Sequence, residues 1–342
     1  VHIEGESSPT RYIERFTKNK EDVAFQSTVY AERTLMAGFT TVRDLGGSGV
    51  NIALRNAINK GIVKGPRIFT AGKTIASTGG HGDPTNGMRM DLRGNPGPKE
   101  GVVNSPEDAK KAVRQRYKDG SDVIKITATG GVMSVAKNGQ NPQFTIEEIK
   151  AIVATAKDYG FLTAAHAHGD EGMRRAVVAG IKTIEHGTLM EEGTMDLMVK
   201  HNTFLVPTIS AGKEAAKMAE IPGFLPPVVA KKAREIGPVS QANFGRAYKK
   251  GVNIAFGTDA GVSPHGANGK EFGFMNEMGM PIMETIQAAT ITNANLLGMT
   301  NELGKLKEGF IADIVAVDED PTKNVNTLEN AVFVMKEGTI YK

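Results

Sequence analysis

Four predicted strands of this chain end in side chains that bind metal ions well. His2 closes the first of these strands, "TAAHAHG" brings His166 and His168 to the end of another, "IEHGT" brings His186, and "AFGTDAG" brings Asp259. Imidazole and carboxylate groups are common ligands of divalent transition metals. The chain has only 7 histidines, and their concentration at strand ends indicates a metal site.

A lysine lies inside another apolar strand. In "SDVIKITATGG", Lys125 stands between Ile124 and Ile126, where a bare ammonium group is costly to bury. Three interpretations of this lysine are open. It is a core lysine whose amine reaches out to solvent, a Schiff-base lysine of an aldolase-like barrel, or a lysine whose amine has taken up CO₂. The resulting carbamate is an anion that can bridge two cations. Metals held by the nearby imidazoles stabilise an anion and disfavour an ammonium, so the pattern favours the carbamate.

The elements that must position these side chains alternate between β-rich runs and amphipathic segments. Helical segments such as "SPEDAKKAVRQRYKDG" and "TIEEIKAIVATAKDYG" begin with capping residues and end near Gly. The predicted strands, with the stub at Val1 and His2, are 40–43, 67–70, 123–126, 162–166, 183–185, 204–207 and 253–257.

About eight such units predict an α/β fold of the TIM-like (β/α)8 barrel type. An open doubly wound sheet is disfavoured because no GxGxxG fingerprint follows a strand. Reactive groups of a barrel lie at the C-terminal ends of its strands. The metal-binding side chains all come from such ends.

The last part of the chain has a different pattern, with short β-runs and Gly-containing turns. We therefore predict a barrel at residues 1–303 and a C-terminal β segment at residues 304–342. So short a segment cannot bury a core alone, and we expect it to form part of a small composite β-sandwich. The chain begins "VHIEGE" without Met, and we expect the N-terminal part of that β-sandwich to be missing from it.

Composition limits the ligand and the chemistry. The 342 residues are 40% hydrophobic and 23% charged, and the net charge is +3 with acids and bases interspersed. This balance indicates no nucleic-acid partner, and there is no membrane-spanning run, so a small-molecule substrate is expected. The absence of cysteine excludes disulfides and thiolate chemistry and fits the cytoplasm and the periplasm equally. The sequence decides neither where the protein is located nor whether it forms a homo-oligomer.

These motifs together carry a family resemblance. The ordered set of His2, Lys125, "HAHG", "EHGT" and "GTDAG", with "AGFTTVRDLGG" and "GFIADIVAVDEDP", resembles the amidohydrolase superfamily over nearly the whole chain. It is most similar to the imidazolonepropionase-related dipeptidases, which include the Xaa-Pro dipeptidases or prolidases. Family members carry His-x-His at the end of the first strand, and this chain has only the second histidine, His2.

The resemblance implies a binuclear centre of two divalent metal ions, most commonly zinc, with magnesium, manganese and cobalt as alternatives. His2 and Asp259 would hold one ion, His166 and His186 the other, and carboxylated Lys125 would bridge them. The absent first histidine leaves the first site one ligand short.

The resemblance also implies catalytic roles. Asp259 would act as general base and then general acid. His81, in the glycine-rich loop "ASTGGHGD", would bind the substrate and donate to the scissile carbonyl oxygen, unless it is a surface-loop residue. His168 contacts the substrate or supports a ligand, and Arg43 is a structural ion-pair partner or a substrate anchor. The two remaining histidines, His201 and His265, are expected to be solvated.

The expected function is hydrolysis of the amide bond of a dipeptide by a metal-activated hydroxide. The preferred substrate is Xaa-Pro with an apolar Xaa, its free carboxylate held by His168 or Arg43. Alternatives on the same fold are hydrolysis of N-acyl amino acids, of other dipeptides, or of cyclic amides of the imidazolone type. Outside hydrolysis, an aldolase-type enzyme with a Schiff base on Lys125 and an inactive binding barrel remain open.

Overall fold

The computed structural model describes residues 1–342 as a mixed α/β chain. The strands are β1 (Thr41–Asp44), β2 (Arg67–Thr70), β3 (Val123–Thr127), β4 (Leu162–Gly169), β5 (Thr183–Leu189), β6 (Phe204–Val206), β7 (Asn253–Ile254), β8 (Ile314–Ala316), β9 (Phe333–Lys336) and β10 (Thr339–Ile340). All seven predicted strand segments from residue 40 to residue 257 are thus confirmed as strands, with small differences at their ends.

Helices occupy the intervals between the strands and flank them at both ends. The α-helices are α1 (Arg11–Thr17), α2 (Lys20–Met36), α3 (Val50–Asn59), α4 (Met90–Arg93), α5 (Pro106–Asp119), α6 (Ile146–Asp158), α7 (Asp170–Val178), α8 (Glu192–Lys200), α9 (Ile209–Glu220), α10 (Pro227–Ile236), α11 (Ser240–Lys249), α12 (Lys270–Glu277), α13 (Ile282–Gln287) and α14 (Asn293–Leu296). Short 3₁₀ segments lie at Gly237–Val239 and Val325–Glu329, and a π-helical turn lies at Ala288–Thr292.

Local sequence signals account for two of these helices. Helix α5 begins after Ser105, whose hydroxyl accepts a hydrogen bond from the backbone N–H of Asp108, and it ends at Gly120 in the left-handed conformation with φ 88°. Helix α6 begins with a reciprocal capping box between Thr145 and Glu148. These contacts satisfy backbone groups that have no partner inside the helix, so both predicted helix starts are confirmed.

The strands that carry the site are parallel. Strands β3 to β7 form one parallel sheet in chain order, and β1 pairs with β2, also in parallel. A parallel bridge between Ile75 and Ile126 connects the chain after β2 to β3.

The first residues of the chain contact both the first and the last of these parallel strands, β1 and the segment that follows β7. The backbone nitrogen of Val1 donates to the carbonyl of Arg43 in β1 over 3.0 Å. The N–H of His2 donates to the carbonyl of Ala260 over 2.7 Å, just beyond β7. The parallel strands, the alternating helices and these contacts are consistent with a TIM-like barrel.

The main core lies between the parallel strands and their helices. Its largest apolar cluster has 35 buried residues, among them Ile124 and Ile126 of β3 and Ile149 and Ile152 of α6. Every residue of β3 is buried, as is usual for parallel strands covered on both faces. Lys125 alternates with the two isoleucines and therefore faces the opposite side of the strand.

The last three strands form a separate antiparallel sheet in the order β10, β9, β8. It packs on α2 through Val334 and Leu35, and a 3.0 Å ion pair between Arg67 and Asp313 ties it to β2. The division into residues 1–303 and 304–342 stays a prediction. No helix has both the length and the apolar character needed to cross a membrane.

The segment "EIPGFLPP" connects α9 to α10, which pack against each other. Val229 of α10 and Ala215 of α9 share an apolar cluster with Val132 of the loop after β3. The two helices and this loop thus form one packed wall beside the strand ends.

Candidate metal centre and substrate cavity

The predicted site residues converge on one cavity. Its volume is about 380 Å³. The site residues that line it are His2, His81, Lys125, His166, His168, His186 and Asp259. Side chains separated by as many as 257 positions in the chain therefore meet at one end of the parallel strands.

Three histidines form a compact cluster within this cavity. Strands β4 and β5 run side by side, with Ala167 opposite His186. His166 and His168 lie two residues apart, and the ligating nitrogens of His166, His168 and His186 all lie within 4.8 Å of one another. The register between β4 and β5 shifts between Ala167 and Gly169. His168 belongs to this cluster, although the sequence analysis did not place it among the metal ligands.

Threonine hydroxyls orient two of these rings. Nδ1 of His168 lies 2.9 Å from Oγ1 of Thr188, and Nδ1 of His186 lies 2.7 Å from Oγ1 of Thr208. Such partners fix the ring of a ligating histidine, and they leave Nε2 of both rings available. Neither threonine was predicted from the sequence. Their signal is their position at the site, because Thr188 lies in β5 two residues after His186 and Thr208 lies two residues after the end of β6.

His2 and Asp259 meet on the other side of the cavity. Nε2 of His2 lies 3.2 Å from Oδ1 of Asp259, and Nδ1 of His2 lies 2.8 Å from the carbonyl oxygen of Gly46. Burial alone would raise the pKa of Asp259, but the hydrogen bond and charge of His2, together with His186, hold it below its usual range. Asp259 is therefore a carboxylate at neutral pH.

Lys125 lines the same cavity. Burial lowers the pKa of its amine, while the carboxylates of Glu185 and Asp259 oppose the shift. It forms no ion pair, unlike the buried Arg43. A lowered pKa increases the neutral fraction of the amine, and the neutral amine is the form that reacts with CO₂.

The electrostatics of the histidines suit metal binding. Burial, reinforced by neighbouring cationic groups, lowers the pKa of His81 to about 3. Burial lowers that of His168 to about 4 and those of His166 and His186 well below their usual range. Neutral imidazole is the form that binds a metal ion. A set of neutral, converging imidazoles beside a carboxylate fits a divalent cation.

Strained backbone occurs at three positions near the site, one within β5, one after β6 and one after β7. His186, Thr208 and Asp259 have φ values of 75°, 50° and 53°, in the left-handed region that side chains with a Cβ adopt at a cost of about 1–2 kcal/mol each. Strain of this kind persists where the surroundings impose it, and it concentrates at functional sites. Two of the three residues are predicted ligands.

His81 lies against the histidine cluster from the loop after β2. Its ring stacks on that of His166 with centroids 4.3 Å apart, and its N–H donates to the side chain of Gln143 over 2.7 Å. A Cβ at Gly131 would lie 2.2 Å from the ring, so only glycine fits there. Nδ1 of His81 is buried without a protein partner.

Arg43 has a different environment. Its guanidinium donates to both carboxylate oxygens of Glu185, over 2.9 and 3.0 Å, and to Thr183 over 3.0 Å. The Arg43 side chain is 11% exposed and that of Glu185 4%, and neither lines the cavity. This placement supports the structural alternative for Arg43. Glu185 directly precedes His186 in the sequence, but the sequence alone does not show that Glu185 pairs with Arg43.

The two remaining histidines differ. His201 is exposed at the end of α8, as predicted. The prediction that His265 is solvated is wrong, because its ring is buried and stacks on Tyr30 at 4.9 Å. Its Nε2 lies 3.0 Å from the carbonyl oxygen of Gly5.

Comparison with known proteins identifies the family. The model of the Amidohydrolase family matches the whole chain, residues 1–342. The chain belongs to the amidohydrolase family. This assignment confirms the resemblance found in the sequence, and metal dependence is the norm in this family.

Two solved structures are similar to this chain over its full length. A crystal structure of a Xaa-Pro dipeptidase with bound methionine in the active site is 52% identical, with a TM-score of 0.97, and the match covers 100% of this chain and 84% of that one. A crystal structure of a prolidase complexed with N-methylphosphonate-L-proline is 31% identical, with a TM-score of 0.91 and the same coverage.

A curated relative is the ochratoxinase of Aspergillus niger. It is 33% identical over 324 residues, and the match covers 90% of this chain. The chain spans 66% of the length of that relative. Together, the family and these hydrolase relatives support a hydrolytic enzyme.

Proposed function

We propose that the chain hydrolyses the amide bond of a dipeptide, and that Xaa-Pro is the preferred substrate. The likeness to a Xaa-Pro dipeptidase at 52% identity over the whole chain carries this proposal. The bound methionine of that structure and the proline analogue of the prolidase structure both support a ligand that resembles an amino acid.

The proposed metal centre has two sites. His2 and Asp259, 3.2 Å apart, would hold one divalent cation, most commonly zinc, and His166 and His186 would hold the other. Carboxylated Lys125 would bridge them. Such cations lower the pKa of a bound water from about 15.7 toward about 7 and polarise a carbonyl group.

The residues of the chain would then handle the protons and the developing charge. Asp259 is buried and ionised at neutral pH, so it is suited to accept a proton from water. It would return this proton to the leaving nitrogen, a step that proline requires because its secondary amine must be protonated before the C–N bond breaks.

His81 is the proposed oxyanion donor. Its low pKa keeps the ring neutral at pH 7, so one ring nitrogen carries a hydrogen to donate. A ring nitrogen of His81 would donate to the carbonyl oxygen, and the packing of the ring against His166 holds it in place. A preorganised donor of this kind stabilises charge that develops in the transition state. His168, fixed by Thr188, is proposed to contact the substrate.

We also propose that residues 1–303 form a closed (β/α)8 barrel. The contacts of Val1 with β1 and of His2 with the carbonyl of Ala260 beyond β7 support this closure. Residues 304–342, with the antiparallel sheet of β8 to β10, are assigned to a composite β-sandwich.

A substrate panel tests the function. L-Xaa-L-Pro dipeptides, other dipeptides, N-acetyl amino acids and imidazolone-type lactams are assayed with zinc, manganese or magnesium supplied. We expect the highest kcat/KM for an apolar Xaa-Pro. Faster hydrolysis of N-acetyl amino acids would refute the substrate proposal and keep the reaction class. Insensitivity to chelators, with borohydride trapping of a carbonyl compound, would indicate a Schiff-base enzyme, and binding without turnover would indicate an inactive barrel.

A further inference from the structure

Two arginines outside the proposed metal centre line the cavity. Apart from Lys125, the basic side chains that line it are Arg11 and Arg15, one turn apart on α1. The acidic side chains that line it are Asp259, at the proposed metal centre, and Asp83. Asp83 accepts hydrogen bonds from the N–H groups of Gly79 and Thr85, each over 2.8 Å, so its carboxylate is engaged within its own loop.

The two arginines differ in what they contact. Arg15 donates to the carbonyl of Asn86 over 2.7 Å and reaches that of Pro84 at 3.5 Å. Arg11 donates to the hydroxyl of Ser7 over 3.1 Å and, like Arg15, forms no ion pair. Since a guanidinium has five N–H donors in a planar fork, most donors of Arg11 are free for a ligand.

The neighbour of Arg11 fixes its position. The hydroxyl of Tyr12 donates to the carbonyl of Met133 over 2.9 Å, so α1 is attached to the loop after β3. The wall next to this contact is apolar and includes Val132 and Val135. A substrate between α1 and this loop therefore meets a cation with free donors beside apolar side chains.

We infer that Arg11 binds the free carboxylate of the substrate and thereby restricts the enzyme to amides whose leaving amine carries a terminal carboxylate. This inference rests on the proposed amide hydrolysis and names the recognition element within the same cavity. The two residues first considered for this role are less suitable. Arg43 is already paired with Glu185, and His168 lies within the histidine cluster with Nδ1 beside the hydroxyl of Thr188. Arg–carboxylate pairs are often bidentate, which adds specificity to charge.

The test compares an acid with its amide. L-Alanyl-L-proline and L-alanyl-L-prolinamide have the same backbone and side chains, but only the first has a terminal carboxylate. We expect the wild type to prefer the acid by roughly 10- to 100-fold in kcat/KM. This ratio corresponds to the free energy of a hydrogen bond to a charged group. Arg11→Met should abolish this preference, mainly through a higher KM for the acid. Arg11→Lys should restore part of it, and Arg15→Met should retain it. Equal melting temperatures would establish that the variants are folded.

A binding measurement separates this inference from the dipeptidase proposal. Calorimetric titration of L-proline and L-prolinamide should show tighter binding of the acid to the wild type and no difference with Arg11→Met. If the dipeptides are not hydrolysed, this titration and the same acid–amide comparison on N-acetyl amino acids still decide the role of Arg11. Full discrimination by Arg11→Met, or a wild type that treats acid and amide alike, would overturn the inference.

Discussion

A buried lysine outside the metal centre holds the loop that walls the cavity. The amine of Lys232, on α10, donates to the carbonyls of Gly131, Ser134 and Ala136 over 2.7, 2.7 and 2.8 Å. Burial lowers its pKa to about 8, so the amine is still largely protonated at pH 7. We predict that Lys232→Met releases this loop.

The size of the effect follows from these contacts. A hydrogen bond from a charged donor contributes about 1.5–3 kcal/mol to stability. Part of the combined contribution of the three bonds offsets the cost of burying the ammonium group. Two of the three carbonyls are only partly buried and can bind water when the amine is lost. A net loss of about 2–4 kcal/mol in the stability of the loop is therefore expected.

Hydrogen exchange of Gly130, whose N–H donates to the carbonyl of Asn141 at the start of this loop, measures this loss. A change of 2–4 kcal/mol corresponds to exchange that is roughly 30- to 1,000-fold faster when opening is local. KM should rise about tenfold or more, because Val132 and Met133 line the cavity. Lys231→Met is the matched control, since Lys231 is exposed on the same helix and should change neither quantity. Unchanged exchange and unchanged KM in Lys232→Met would refute the reasoning.

Three further predictions concern the site and its support. Asp259→Asn should lower kcat by about 10²–10⁴-fold, the usual contribution of acid–base catalysis, with a much smaller effect on dipeptide binding, and near-normal rate constants across pH would exclude this role. Because the pKa values of His81 and His168 fall from 6.5 to about 3 and about 4 on folding, the stability that they contribute is complete above pH 6.5 and lost toward pH 4 and below. The melting temperature of the metal-free protein should therefore drop between pH 7 and pH 5, and an unchanged value would contradict the low pKa values. Glu271 accepts hydrogen bonds from the first turn of α9, including the N–H of Ser210 over 2.8 Å, so Glu271→Gln should lower the melting temperature by several degrees, and an equal melting temperature would show that this contact is dispensable.

The sequence predicted the strands and the convergence of the site because both depend on local pattern and one general rule. Apolar runs between capped helices identify the strands, and the geometry of a parallel barrel places residues at strand ends together. His2, His166, His186 and Asp259 could be selected in this way without knowledge of any long-range contact.

The remaining features depend on contacts that the pattern does not encode. The pairing of Arg43 with Glu185 joins residues 142 positions apart, and the burial of His265 depends on its stacking on Tyr30 of α2. The contact of Lys232 with Gly131 spans 101 positions. Each follows from how helices and loops pack after the strands are in place.

The metal content of Lys125→Ala tests the central claim, a binuclear centre bridged by carboxylated Lys125, most directly. Elemental analysis of wild type and variant, both purified with zinc and bicarbonate present, should give two tightly held ions per wild-type chain and a clear loss in the variant. Adding bicarbonate and a short-chain carboxylic acid should return part of the metal and of the activity. A Lys125→Ala variant that retains two tightly held metal ions would contradict the account.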